Sequence, residues 1–152
     1  MEKHFPIETI ERCQKETEAV IQEETGDFLS RSVSYLKENT EEFLYIESPA
    51  FEAIRIDALV LEIDDVFQTY TALFGLGLQK KLREPMKSFL DANLQGDGIQ
   101  YSMLFSGEDG VWDVNVTLNG MAGFDETLTL EQAVQLVVRF VADLVDAAKD
   151  GN

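Results

Sequence analysis

The chain has 152 residues, 45% of them apolar, with 29 acidic side chains against 12 basic ones and a net charge of −17. That length and composition suit one folded domain with a sizeable core and exclude a globally disordered chain. The charge excludes a surface built to bind phosphate backbones directly and favours basic protein partners.

Single residues narrow the field further. Cys13 is the only cysteine, which removes any intrachain disulfide or cysteine-based metal cluster. The opening MEKHFPIETI lacks the apolar core of a signal peptide, and no run nears the ~18 apolar residues of a membrane span. The expected compartment is a reducing cytoplasm. One domain is expected over 1–152, with 1–6 and 150–152 as mobile ends.

Along residues 7–24, Ile7, Ile10, Cys13, Thr17, Val20 and Ile21 keep helical spacing, with the glutamates mostly off that stripe. This predicts a weakly amphipathic helix, ended by Gly26. Asp27 suits the N-cap of a second helix carrying Phe28, Leu29, Val33 and Leu36. The run EFLYIE, from Glu42 to Glu47, is too short for periodicity to decide between strand and helix. Ser48-Pro49 forms a helix start, and Ile56, Leu59, Val60, Ile63, Phe67, Tyr70 and Phe74 keep helical spacing beyond it. The rival reading is a strand over 53–61, in which Ile54, Ile56, Ala58 and Val60 alternate; the balance favours helix.

Gly75-Leu76-Gly77 then loosens the helix, Leu78 and Leu82 extend a helical pattern to Glu84, and Pro85 opens a short helix that buries Met86, Phe89, Leu90 and Leu94.

Residues 98–120 carry the clearest signal. Ile99, Tyr101, Met103 and Phe105 alternate with Gln100, Ser102 and Ser106, broken only by Leu104, and after Gly107-Glu108-Asp109-Gly110 Trp112, Val114, Val116 and Leu118 alternate with Asp113, Asn115 and Thr117. Period two across a glycine-bounded turn predicts a β-hairpin. Phe105 should face Trp112, Met103 Val114, Tyr101 Val116 and Ile99 Leu118, all on one apolar face. Thr129 and Gln132 have the spacing of a capping box for a last helix over 130–149. That helix is apolar over most of its girth, with Gln132, Gln135, Arg139, Asp143 and Asp146 on a narrow polar stripe. It should be buried on two sides or cover an interface, and packing across the hairpin is the natural solution. The fold class spelled out is α+β: a mostly helical single domain whose antiparallel hairpin, extended at most to a three- or four-stranded sheet, packs against a C-terminal helix.

Catalytic chemistry finds little to work with. His4 is the only histidine and sits near a chain end, while Glu11 and Glu16 beside Cys13 would raise its thiol pKa. Asp91, Asn93, Gln95, Gly96 and Asp97 follow the order of an EF-hand loop, but Ser102 stands where a bidentate glutamate is needed. Glu62, Asp64 and Asp65 are close enough for magnesium or manganese, yet the two aspartates equally suit a helix N-terminus. No phosphate-loop Lys-Ser/Thr follows Gly75-Leu76-Gly77. Lys80, Lys81, Arg83 and Lys87 could meet a phosphate or an acidic patch, or complement the C-terminus of the preceding helix. No cofactor or metal is expected.

From Ser88 to the C-terminus there are 11 acidic and 2 basic residues. Glu108, Asp109, Asp113, Asn115, Asp125 and Glu126 are the expected partner-binding surface around the hairpin tip and the loop beyond it. The function these features favour is a non-enzymatic acidic protein-binding module (inhibitor, adaptor or immunity-type antagonist) engaging a basic protein, with no direct nucleic-acid or membrane binding. One alternative is a small-molecule-binding domain or carboxylate-dependent enzyme, its pocket between hairpin and helices and lined by Tyr70, Phe74, Tyr101 and Trp112. A second is a structural homodimer formed through the hairpin edge or the last helix.

Overall fold

The computed structural model describes residues 6–96 and 99–150. His4, Asp97 and the outermost termini lie outside the described residues. Seven strands form one antiparallel sheet: β1 (Thr9–Gln14), β2 (Val20–Glu24), β3 (Glu42–Glu47), β4 (Ile56–Ile63), β5 (Tyr70–Leu76), β6 (Tyr101–Ser106) and β7 (Val111–Thr117). Their order is β2-β1-β3-β4-β5-β7-β6. Among the described residues three helices accompany them, α1 (Tyr35–Glu38), α2 (Arg83–Asn93) and α3 (Leu130–Asp150), with 3-10 turns at Gly26–Ser30, Pro49–Ile54, Lys80–Leu82 and Leu118–Gly120. The expectation of a mostly helical domain built on one hairpin is therefore corrected: the sheet dominates, and its centre is β4.

The helix predicted over 7–24 is the edge hairpin β1–β2. Ile10 and Cys13 are both buried but, three residues apart on a strand, on opposite faces, so their helical spacing marks no common stripe; the pairing with β3 runs unbroken, and the register shift between Arg12 and Cys13 is confined to the pairing with β2. The second predicted helix shrinks to a 3-10 turn and the four residues of α1. EFLYIE is β3, and the long helix read from Pro49 to Phe74 is a 3-10 turn followed by β4 and β5. A bulge between Ile56 and Leu59 breaks the alternation in β4, so Ile56, Leu59, Leu61 and Ile63 face the core while Ala58, Val60 and Glu62 face away. Both the helical reading and the 53–61 strand reading missed that shift. The basic cluster Lys80–Lys87 follows a strand, not a helix, and occupies a 3-10 turn and the first turns of α2.

The C-terminal third keeps its predicted form. Tyr101 pairs with Val116, Met103 with Val114 and Phe105 with Trp112. Ile99 and Leu118 fall outside the ladder, Leu118 in a 3-10 turn. The capping box is present: the Thr129 N–H donates to Gln132 Oε1 (2.9 Å), and the Gln132 N–H donates to Thr129 Oγ1 (3.1 Å). Backbone bonds from Val33 to Leu128 and from Leu130 to Arg31 pin the start of α3 to the segment after the first 3-10 turn.

Helices and 3-10 turns cover one face of the sheet. There Ile10, Leu44, Ile46, Leu59, Leu61, Ile63, Ala72, Phe74, Val114 and Val116 meet Val134, Val137, Val141 and Leu144 of α3 in one core. Helix α3 also packs on α2, with Phe140 edge-on to Phe89 at 5.3 Å between ring centroids. Behind β5 the chain passes closely over Gly120, where a Cβ would lie 2.6 Å from Ile99 Cγ2 and 3.3 Å from the Gln95 nitrogen. Gly120→Ala should therefore cost about 2 kcal/mol by overpacking, read as a lower urea midpoint at unchanged slope. Unaltered stability would mean that Ile99 moves aside freely.

Candidate functional site

Among the described residues, no helix lies on the other face of the sheet. The pairing places Tyr45 beside Val60, Val60 beside Leu73, Leu73 beside Asn115 and Asn115 beside Ser102, so these residues form one row across five strands. Phe43, Tyr45, Val60 and Leu73 are all half-buried there. Two hollows, of about 620 and 470 Å³, share Tyr45, Val60 and Leu73 as lining. The first is walled by Lys15, Glu18, Glu62, Asp64 and Asp65. The second is walled by Asp57, Leu104 and Asp113, over a floor at Gly75.

Gly75 shapes the second hollow. Its N–H donates to Asp57 Oδ1 (3.0 Å), and a Cβ at this position would lie 2.7 Å from Asp57 Oδ2. The absence of a side chain lets Asp57 fold over the strand, next to Asp113, which pairs with Gly75 across the ladder.

The charge on this face has one sign. Arg12 is the only cation in the seven strands, and it lies on the helix side, in line with Leu44 and Leu61. The open side carries Glu11, Glu23, Glu47, Asp57, Glu62 and Asp113. Lys15 reaches the rim from the β1–β2 turn, but it is neutralised by Asp65 at 3.3 Å and Glu62 at 3.9 Å.

Titration shifts on this face share a direction. The Tyr45 hydroxyl donates to Glu47 Oε2 (2.8 Å), and that bond, burial and the nearby charges of Glu47, Asp57 and Glu11 push its pKa up to about 12. Burial raises Glu62, against the pull of Lys15 and with the help of Asp65 and Asp64. Burial and then Glu11 raise the Cys13 thiol, which makes it a poor nucleophile.

The predicted site residues divide between the faces. Asp113 and Asn115 lie on the open face, whereas Glu108 and Asp109 form the β6–β7 tip. Asp125 and Glu126 sit with the helical layer: Asp125 accepts the Thr127 N–H at 2.7 Å, and Glu126 pairs with Lys37 at 3.2 Å. Tyr70, Phe74, Tyr101 and Trp112 point to the helix-covered side, where Tyr70 is fully buried and Phe74 and Trp112 nearly so. Asp64 shapes its own turn, accepting the N–H groups of Val66 and Phe67 at 2.9 Å each. Among the described residues, no group of three or more histidine, cysteine or carboxylate side chains is arranged to hold a metal ion. Among them, too, no helix is long and apolar enough to cross a membrane.

Tyr45, Val60, Leu73, Asp57 and Glu47 were not singled out from the sequence, although a signal was present. A sheet covered on one side alternates apolar with polar residues, yet β3, β4 and β5 are apolar at both parities: Phe43 and Tyr45 beside Leu44 and Ile46, Val60 beside Leu59 and Leu61, Leu73 beside Ala72 and Phe74. Apolar residues on both faces mark strands that meet something on each side.

All four tyrosines titrate late. Burial and the Glu42 hydrogen bond outweigh Arg12 to raise Tyr35, burial pushes Tyr70 to about 12, and burial with the Asp91 hydrogen bond takes Tyr101 to about 12. Because the folded pKa exceeds the unfolded value near 10, this contribution to stability is complete below pH ~10 and lost as pH rises through ~12. Phenolate absorbance should rise later than for free tyrosine, with the steps of Tyr45, Tyr70 and Tyr101 near pH 12, and together with loss of far-UV ellipticity. A phenolate step near pH 10 in the intact fold would contradict this.

No family model, curated protein or solved structure matches the chain.

Proposed function

We propose that the protein is a non-enzymatic acidic binding module that engages a basic protein through the open face of its sheet, in the reducing cytoplasm. The observation that supports this reading is the uncovered row Tyr45–Val60–Leu73, set among carboxylates with no strand cation on its side. Half-buried apolar side chains supply contact area, and the carboxylates select and steer a cationic partner. Pairing two copies through this face would set like charge against like, so a basic partner fits it better than a second copy.

The test compares two affinity columns in native lysate at low salt. One carries the wild-type chain and the other Asp57→Asn/Glu62→Gln/Asp113→Asn. A basic protein held near one-to-one on the first, released by salt and absent from the second, is the expected result. Equal retention on both columns, or none on either, would overturn the proposal.

A further inference from the structure

We infer that the occupant of the open face is a basic amphipathic α-helix lying across the strands, along Tyr45, Val60 and Leu73; this rests on the protein-binding reading above. The spacings match. Neighbouring strands lie roughly 4.8 Å apart, so successive side chains of this row recur at about that interval. A helix laid along the row advances about 5.4 Å per turn, which sets one apolar residue per turn over each of Tyr45, Val60 and Leu73. An extended peptide in the same direction repeats one face only every ~6.8 Å and falls out of step. It would also find no backbone partners, because β3, β4 and β5 are each paired on both sides.

The flanks fit the same occupant. Along each strand the next residue on the same face is about 7 Å from the row, close to the radius of a helix with its side chains. On one side stands Glu62, with Asp64 and Asp65 beyond it; on the other stand Glu47, Asp57 and Asp113. The hollows between row and carboxylates accept the methylene stems of long cationic side chains, whose charged ends then reach the walls. The complementary ligand therefore has a narrow apolar stripe with lysine or arginine along both borders.

The probe is a 14-residue peptide of leucine and lysine with leucines at helical spacing, compared with an isomer of identical composition whose leucines alternate. Binding to the isotope-labelled full chain is followed by amide shift changes, and peptide helicity by circular dichroism. The helical isomer should bind at least tenfold more tightly, gain helicity on binding, and shift the amides of Tyr45, Val60 and Leu73. Leu73→Asp should weaken it about tenfold, although that change adds a negative charge; Leu73→Thr, which keeps the local charge, should weaken it in the same direction. If both isomers bind alike and Leu73→Asp tightens them, the helix is overturned while an acidic protein-binding face stands. If neither isomer binds, both readings fall.

Discussion

Arg12→Ala is expected to lower stability by about 3 kcal/mol. Arg12 occupies a helix-side position of β1 that should hold an apolar residue, and its guanidinium gathers the groups around it. Nε meets Glu24 at 2.8 Å, and one terminal nitrogen donates to the Tyr35 hydroxyl at 3.2 Å and to the Glu42 carboxylate at 3.3–3.4 Å. Tyr35 in turn donates to Glu42 at 2.8 Å. Burial alone would lower the Arg12 pKa, but the bonds to Tyr35 and Glu24 raise it above its ordinary value, so the cation persists at any pH the fold survives. Removing it leaves Glu42, 8% exposed, without its counter-charge. Arg12→Lys should rescue little, since an ammonium cannot span three partners in a fork. Arg12→Met/Glu42→Gln should recover at least half of the loss, because the stranded charge goes with its partner. A urea midpoint for Arg12→Ala within error of wild type would show that the network contributes nothing net.

Neutralising Asp57, Glu62 and Asp113 together is expected to weaken a basic partner or the helical leucine–lysine peptide about 100-fold at low salt. The basis is roughly 1 kcal/mol for each partly desolvated charge pair. Much of the difference should vanish at high salt. Glu108→Ser/Asp109→Ser should change affinity by less than about threefold, because the hairpin tip lies beyond the row. The triple change Glu108→Ser/Asp109→Ser/Asp113→Ser would then owe nearly all of its effect to Asp113.

Folding should not suffer from the open-face changes. Asn at 57 keeps an oxygen for the Gly75 N–H, and Lys15 keeps Asp65 when Glu62 becomes Gln. Burial raises the Glu62 pKa, so its contribution to stability is complete below the ordinary glutamate value near 4.3 and declines as pH rises through the folded value. Glu62→Gln should therefore match wild type in acid and gain a fraction of a kcal/mol by neutral pH. A stability advantage that grows on acidification would contradict that sign.

The hairpin β6–β7 and the start of α3 were legible because their signals are local. Glycines bound the turn, both strands alternate from Tyr101 and from Trp112 with Leu104 as the one break, and Thr129 finds its capping partner three residues away. The β1–β2 and β4–β5 hairpins hide the same architecture. Their turns hold no glycine, and the left-handed positions are taken by Glu18 (φ 63°) and Gln68 (φ 56°). A polar residue inside, Arg12, and apolar residues outside, Val60 and Leu73, blur the alternation that would have marked β1, β4 and β5.

By itself the sequence determined the quantities that add up residue by residue or close over a few neighbours: the charge of −17, the lone cysteine, the β6–β7 register and the cap of α3. The tertiary structure decided which residues share a face. Tyr45, Val60, Leu73 and Asn115 lie far apart in the chain and meet only because β3, β4, β5 and β7 pair in that order. Long-range strand pairing and the bulge in β4 set that order and its register, and a shift of one residue would have turned the acidic, apolar face toward the helices.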